Sequence, residues 1–415
     1  MHHEPQIDIQ DENRFMADLG PRLVAGGAVV GAVGIGLALL LCLAREENGV
    51  RHFLHAYLLN FAYFLSIALG ALFFVATQQL TAAGWSVTVR RIAELMAGML
   101  PWMLALFIPL LLLVLMGNSQ LYHWNDTTLL DPDSEHYDPL IAMKRAYLNP
   151  AFFGVRAVIY FLIWGLLARF FLSRSTEQDE TRDPELTLKM QRVSAPALVL
   201  FALTLTFAAF DWLMSLDAHW FSTIFGVYYF AGSALSFFAA IIIISQLLQA
   251  SGRLSRAITV EHYHDLGKFL FGFVVFWAYI AFSQYMLIWY ANIPEETQWF
   301  QVRQTNGWGS VSVVLIFANF FIPFFFLVSR HIKRNRLTLA IGAVYILAVH
   351  WLDLYWIVMP SLMKVHTLSG LLIDLACFVG FAGLCVAGFG WVAGSRSLVP
   401  VGDPRLHEAL AFKNM

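Results

Sequence analysis

Charge is scarce in this sequence. Lys, Arg, Asp and Glu make up 13% of its 415 residues, while 59% are apolar or aromatic. A soluble domain carries roughly twice that charge, and the mean hydropathy of +0.65 points to the bilayer as the solvent. Cysteine is scarcer still: Cys42, Cys377 and Cys385 all lie inside apolar runs, with no CxxC or CxxCH spacing. That excludes a zinc site, an iron–sulfur cluster or a covalent haem held by this chain, so any such group belongs to a partner. No excess of one sign exists either, with 26 basic and 28 acidic residues and a net charge of -2. A nucleic-acid binder needs a basic face, which is absent here. Low-complexity segments and long polar linkers are missing too, which leaves one membrane domain with loops.

What is present is a series of ten apolar runs, near residues 23–43, 53–76, 92–116, 151–172, 195–213, 221–249, 266–291, 308–329, 337–358 and 369–393. About 20 helical residues cross the hydrocarbon. Lipid leaves no partner for unpaired backbone groups, and continuous runs are not the alternating strands of a barrel. The expectation is an all-α integral membrane protein with about ten transmembrane helices. A polar leader (1–22) precedes the membrane domain (23–393), and a tail (394–415) follows it. The first run lacks a short apolar core ending at a small-residue cleavage site, so it is read as a retained helix.

Orientation follows from Lys and Arg counted by loop. With Arg156 and Arg169 set aside inside a span, eighteen fall on the side of the two termini. Six fall opposite, at Arg45, Arg51, Lys144, Arg145, Arg303 and Lys364. Both termini are therefore expected to be cytoplasmic. The longest outer connection, 117–150, carries Asp126, Asp131, Asp133, Glu135 and Asp138; it reads as a solvated loop with a short interfacial helix, or as a docking surface for an outer partner. Glycines recur at Gly26, Gly27, Gly31, Gly34 and Gly36 in the first run and from Gly380 to Gly394 in the tenth. They permit close helix approach, within the chain or between subunits.

Ionisable groups are expensive at membrane depth, so those that stay there are functional candidates. Arg156, Asp211, His350, Asp353 and Asp374 fall in the outer half of their spans, and Asp217 and His219 in the short fifth connection. His350 and Asp353 are three apart and share a helical face, which suggests an imidazole paired with a carboxylate as a proton acceptor. Arg156 is expected to neutralise one of the carboxylates. The bland alternative is a set of buried ion pairs that fix helix register. Trp220 and Tyr228 lie nearby and could line a flat pocket for a ring-shaped ligand. Glu94 and Lys268 sit near cytoplasmic ends, where snorkelling is the simple account. With Asp374, they also mark a path by which protons would enter. Only His350 is placed deep, so a bis-histidine haem is not expected. A lipid-soluble two-electron, two-proton carrier that hands electrons to a partner fits better.

Four stretches carry a resemblance: Lys144-Arg-Ala-Tyr-Leu-Asn-Pro-Ala-Phe-Phe-Gly-Val-Arg156; Phe210-Asp-Trp-Leu-Met-Ser-Leu-Asp-Ala-His-Trp-Phe-Ser-Thr-Ile-Phe-Gly-Val-Tyr-Tyr-Phe-Ala-Gly232; Asp265-Leu-Gly-Lys-Phe-Leu-Phe with Phe282-Ser-Gln-Tyr-Met-Leu-Ile-Trp-Tyr-Ala-Asn-Ile-Pro-Glu-Glu-Thr297; and His350-Trp-Leu-Asp-Leu-Tyr-Trp-Ile-Val-Met-Pro360. Over nearly its whole length the chain resembles the polysulfide-reductase-like (NrfD-type) membrane subunits, in particular the second such subunit of alternative complex III. The resemblance implies two four-helix bundles, spans two to five and six to nine, with flanking helices. It implies a respiratory quinol:electron-acceptor oxidoreductase of the bacterial inner membrane, with menaquinone or ubiquinone as substrate. The implied partners are a sister NrfD-type subunit, periplasmic iron–sulfur and multihaem cytochrome c subunits, and a terminal oxidase.

Three functions remain open from the sequence. In the first, a quinol site near the outer face uses Asp211 or His350 as proton acceptor, Asp353 to orient the imidazole and Arg156 to hold a carboxylate ionised, with His219, Asp217, Trp220 and Tyr228 about the quinone. In the second, the chain is a proton-conducting scaffold using Glu94, Lys268 and Asp374, without quinol turnover. The third is a secondary transporter, for which paired broken helices in inverted halves would speak; Pro101, Pro109 and Pro323 have no matching counterpart.

Overall fold

A computed structural model describes residues 9, 12–45, 48–305, 307–362 and 368–414, without the side chains of 368 and 369. Lys364, counted above for orientation, and the first eight residues of the leader lie outside the described residues. The helices are α1 (Leu19–Leu43), α2 (Gly49–Leu80), α3 (Val87–Ala97), α4 (Leu100–Leu115), α5 (Pro139–Met143), α6 (Pro150–Thr181), α7 (Pro184–Trp212) and α8 (Phe225–Ala250). They continue as α9 (Val260–Ala291), α10 (Pro294–Val302), α11 (Trp308–Ile316), α12 (Ile322–Leu327), α13 (Arg330–Arg334), α14 (Arg336–Val358), α15 (Leu368–Ala393) and α16 (Leu406–Leu410). Among the described residues ten helical segments are long and apolar enough to cross a membrane. No strand occurs among them, only a bridge between Phe15 and Ser397. The chain is an all-α multi-span membrane protein. We call the side carrying residues 117–150 the loop face and the side carrying α16 the tail face.

Two rings of four helices build the interior. The first closes through α2, α3–α4, α6 and α7, and the second through α8, α9, α11–α12 and α14. They meet where α2 crosses α8, at Gly70, whose absent Cβ would lie 2.3 Å from the Ser233 carbonyl oxygen. Burial follows this plan: 83% and 78% of the apolar windows of α2 and α8 are buried, against 28% and 33% for α1 and α9, which turn apolar surface to lipid. The α1–α15 pair flanks the rings. Gly27 meets the Gly383 carbonyl at 2.6 Å from its Cβ position, and Gly34 meets the Gly380 nitrogen at 2.4 Å. These glycines serve packing within the chain, since only hydrogen-sized side chains let the two backbones touch. Gly26 and Gly36 face away, with open space around them.

The apolar runs mark hydrocarbon depth and not helix ends. Residues 173–194 do not form a loop: α6 runs on to Thr181 and α7 restarts at Pro184, separated by Arg182 at φ +55° and Asp183, whose carboxylate caps Glu185 N–H. Helical hydrogen bonds continue into water wherever charged residues replace apolar ones. The third span is broken at Gly98 and Met99, because Pro101 has no N–H to offer residue 97. The eighth loosens into a π-helical turn at Phe317–Phe321 just before Pro323.

The 117–150 connection is structured. Asp131, Asp133 and Glu135 are exposed, while Tyr122 and Trp124 are buried and donate to the Trp212 carbonyl (3.0 Å) and Ser215 Oγ (3.3 Å). The described leader is pinned on the tail face: Arg253 donates to the carbonyls of Phe15 (2.9 Å) and Met16 (2.7 Å).

Candidate functional site

A layer of buried polar side chains occupies the loop-side half of the membrane domain. Arg156 of α6 donates to both carboxylate oxygens of Asp211 on α7, at 2.7 and 3.0 Å. Tyr160 O–H adds a third bond at 2.7 Å, and Asp211 is fully buried. The Arg156 plane lies over the Tyr147 ring at 3.9 Å and donates to the Tyr147 carbonyl. Arg156 thus takes Asp211 as its carboxylate, with a bidentate fork that also fixes α6 against α7. A carboxylate so saturated is a structural ion pair, since removing either partner would strand a buried charge.

His350 and Asp353 share a face of α14, yet they do not pair. Tyr228 O–H and Trp277 Nε1–H (3.0 Å) donate to the Asp353 carboxylate. His350 Nε2 instead lies 2.9 Å from Ser66 Oγ on α2. The Ser66 hydroxyl hydrogen is committed to the Tyr63 carbonyl at 2.7 Å, so Nε2 carries the imidazole proton and Nδ1 is left as a bare lone pair. His350 Nδ1 is buried and has no hydrogen-bond partner among the described residues. The expected imidazole–carboxylate unit is therefore corrected, because a rotamer that reaches Ser66 turns Nδ1 toward α8. There Gly232 makes room: a Cβ would fall 2.7 Å from His350 Cε1, 3.1 Å from Nδ1 and 3.9 Å from Asp353 Oδ2. Both groups thus lie against the Gly232 notch.

Sequence reading missed two further histidines at the loop-side start of α2. The span was placed from residue 53, which left His52 in the connection. In the fold, His52 Nε2 bonds Asp374 Oδ1 at 2.8 Å, while Arg45 donates to its Nδ1 at 3.2 Å. Asp374 is thus joined to α2, where Asn60 also holds its carbonyl. One turn on, His55 Nδ1 donates to the Arg51 carbonyl at 2.7 Å, and its Nε2 is buried without a partner among the described residues. His55 lines a loop-face cavity of about 230 Å³ with Arg51, Ser119, Gln120, His123 and Ser361. The available signal was the i, i+3 histidine pair after Arg51, two imidazoles on one helical face.

The remaining predicted residues separate from this layer. Asp217 and His219 are part-exposed, and His219 Nε2 bonds Asp138 at 2.6 Å. They clip the 117–150 loop to the 213–224 connection. Lys144 reinforces the clip by donating to the Ala218 carbonyl at 2.5 Å. Burial raises the Asp138 carboxyl, but the His219 bond and the backbone N–H groups of Ile141 and Leu140 outweigh it and hold it below 3.8. Trp220 stacks on Trp299 at 4.3 Å and donates to the Glu296 carbonyl. Of the four groups placed about a quinone, only Tyr228 reaches the layer.

Near the tail face, Glu94 does not snorkel. It is buried between Arg90 Nε (3.2 Å) and Arg91 Nε (2.9 Å), which in turn hold Asp403 and Asp179. This network of two guanidinium groups and three carboxylates staples the tail to α3. Lys268 pairs with Asp265 and donates to Asn414 Oδ1 at 3.0 Å. Neither residue touches the loop-side layer.

Chemically, the arrangement offers two neutral imidazoles with bare nitrogens, one facing the Gly232 notch and one facing the loop-face cavity. Each such nitrogen is able to accept a hydrogen bond from a hydroxyl or a water. A scan of the chain against protein-family models matches none, and a search among curated proteins returns no match.

Proposed function

We propose that this chain is a membrane subunit of a respiratory quinol:electron-acceptor oxidoreductase, corresponding to the second NrfD-type subunit of alternative complex III, in a bacterial inner membrane with both termini cytoplasmic. It supplies a quinol site on the loop face, which this reading makes periplasmic. The observation that carries the proposal is the loop-face cavity with a bare His55 Nε2 beside Arg51. A quinol hydroxyl donates its proton to that nitrogen, and the Arg51 guanidinium favours the negative charge left on the oxygen. The electrons pass to an acceptor in a partner, an iron–sulfur or multihaem subunit, because this chain's three cysteines are buried and lack the spacing of a cluster or haem site. The test is quinol oxidation at saturating quinol by the purified complex carrying His55→Gln. A large fall in turnover with the assembly intact is expected; unchanged turnover and inhibitor binding would overturn the assignment.

A second reading, proton conduction without quinol turnover, has its own support. From His350 the polar line continues through Ser66 to Ser236, 3.4 Å away, at the junction of the two rings. Farther toward the tail face, Thr77 Oγ1, Gln78 Oε1, Thr88 Oγ1 and Ser245 Oγ are buried without partners among the described residues, and such atoms mark places for ordered water. Glu94 and Lys268, each already paired, fit this route less well than those neutral groups. In reconstituted vesicles, Ser66→Ala lowers the proton-to-electron ratio under this reading; an unchanged ratio removes it.

A further inference from the structure

Away from the polar layer, a groove of about 660 Å³ opens on the tail-side half between the two rings. Its length follows one face of α9, from Asp265 through Phe269 and Gly272 to Phe276, about 16 Å at helical rise. Phe73 of α2 and Phe230 of α8 form the opposite wall, so both rings contribute. The wall is rigid: Phe73 meets Phe230 edge-on at 4.8 Å, and Phe269 stacks on Phe238 at 5.1 Å and on Trp85 at 5.9 Å. Gly272 adds the open floor, since nothing lies within 4 Å of its Cβ position. At the tail-face mouth the charged groups among the described lining residues are Asp265 and Lys268, paired with each other. The Lys268 side chain is half-exposed.

We propose that this groove holds one zwitterionic phospholipid of the phosphatidylethanolamine class. An acyl chain lies along the aromatic wall, the phosphate meets Lys268 Nζ, and the ammonium meets the Asp265 carboxylate. Three observations combine. The groove is apolar along its length and charged only at headgroup depth. Its charged mouth offers one acid and one base, complementary to a headgroup with one cation and one anion. An anionic headgroup would meet Lys268 but carries no cation of its own for Asp265, and a quinone ring carries none either. Because the walls come from both rings, the lipid acts as a wedge that fixes α2 and α8 against α9. This assignment is independent of where quinol is oxidised.

The test uses the intact complex, purified in mild detergent, with co-purifying lipid measured by mass spectrometry and rebinding of phosphatidylethanolamine, phosphatidylglycerol and a quinone followed by thermal shift. About one phosphatidylethanolamine per chain is expected, and it raises Tm on rebinding. Gly272→Trp fills the groove without replacing any of its wall residues and should abolish both effects. Lys268→Gln should weaken rebinding about tenfold, the equivalent of one charge-assisted hydrogen bond. Asp265→Asn should move the preference toward phosphatidylglycerol. If Gly272→Trp fails to fold, the two mouth variants decide the matter. Equal retention in the variants, or equal binding of phosphatidylglycerol or quinone by the unmodified groove, would overturn the proposal.

Discussion

His350 and Ser66 are joined by a 2.9 Å hydrogen bond between α14 and α2, and that bond fixes which imidazole nitrogen is bare. Because the serine hydrogen already goes to the Tyr63 carbonyl, Nε2 is the donor and Nδ1 faces Gly232. The pair therefore sets both a tautomer and the contact between the two helical rings.

Gly232→Ala tests how the His350 ring is seated against α8. The new methyl would sit 2.7 Å from His350 Cε1, and overpacking of this kind costs about 1–3 kcal/mol. A lower Tm is expected, with a displaced imidazole seen as an altered His350 environment by NMR. Ser66→Ala leaves Nε2–H without its acceptor, at a cost of about 1–3 kcal/mol. Retention of full stability by both variants would remove the proposed tautomer.

The Arg156–Asp211 pair predicts a marked asymmetry. Removing one partner, as in Arg156→Met, strands a buried charge and costs about 3–5 kcal/mol. The double variant Arg156→Met with Asp211→Leu should recover most of that loss. Thermal unfolding of the three proteins checks it, and additive losses would contradict the pairing.

At the tail face, Glu94→Gln should release the tail more than it alters proton transfer. Arg90 and Arg91 lose their shared counter-charge while still holding Asp403 and Asp179. Faster proteolysis within residues 395–414 is expected, with an unchanged proton-to-electron ratio. A changed ratio with an intact tail would restore Glu94 to a proton route.

The Asp138 clip gives a pH dependence with a definite sign. Its folded carboxyl lies below 3.8, so the clip is fully present above that value and is lost as pH falls through the lower folded value. Its charged neighbours are His219 and Lys144, with Asp217 close by. Hydrogen-exchange protection of residues 117–150, taken relative to the intrinsic rate at each pH, should fall on acidification, and Asp138→Asn should show the low protection already at neutral pH. An identical profile in that variant would exclude the carboxylate as the cause.

Sequence alone determined that this is an all-α multi-span membrane protein with about ten apolar helices. Apolar runs long enough to cross hydrocarbon leave no other arrangement for the backbone, and the expected ten match the ten helical segments found. It also located most of the buried charges, since lipid rejects them wherever they occur: Arg156, Asp211, Asp353 and Asp374 are all nine-tenths buried or more. Partners were another matter. Three-residue spacing put His350 beside Asp353, but Ser66, Tyr228 and Trp277 come from other helices and compete for those atoms. Hydropathy set His52 and Glu94 at span ends, where exposure was the natural assumption, and neighbouring helices and the tail buried them. Helical period fixes which side chains share a face of one helix. Which nitrogen or oxygen is left bare depends on what the other helices bring, and only the tertiary structure decided that.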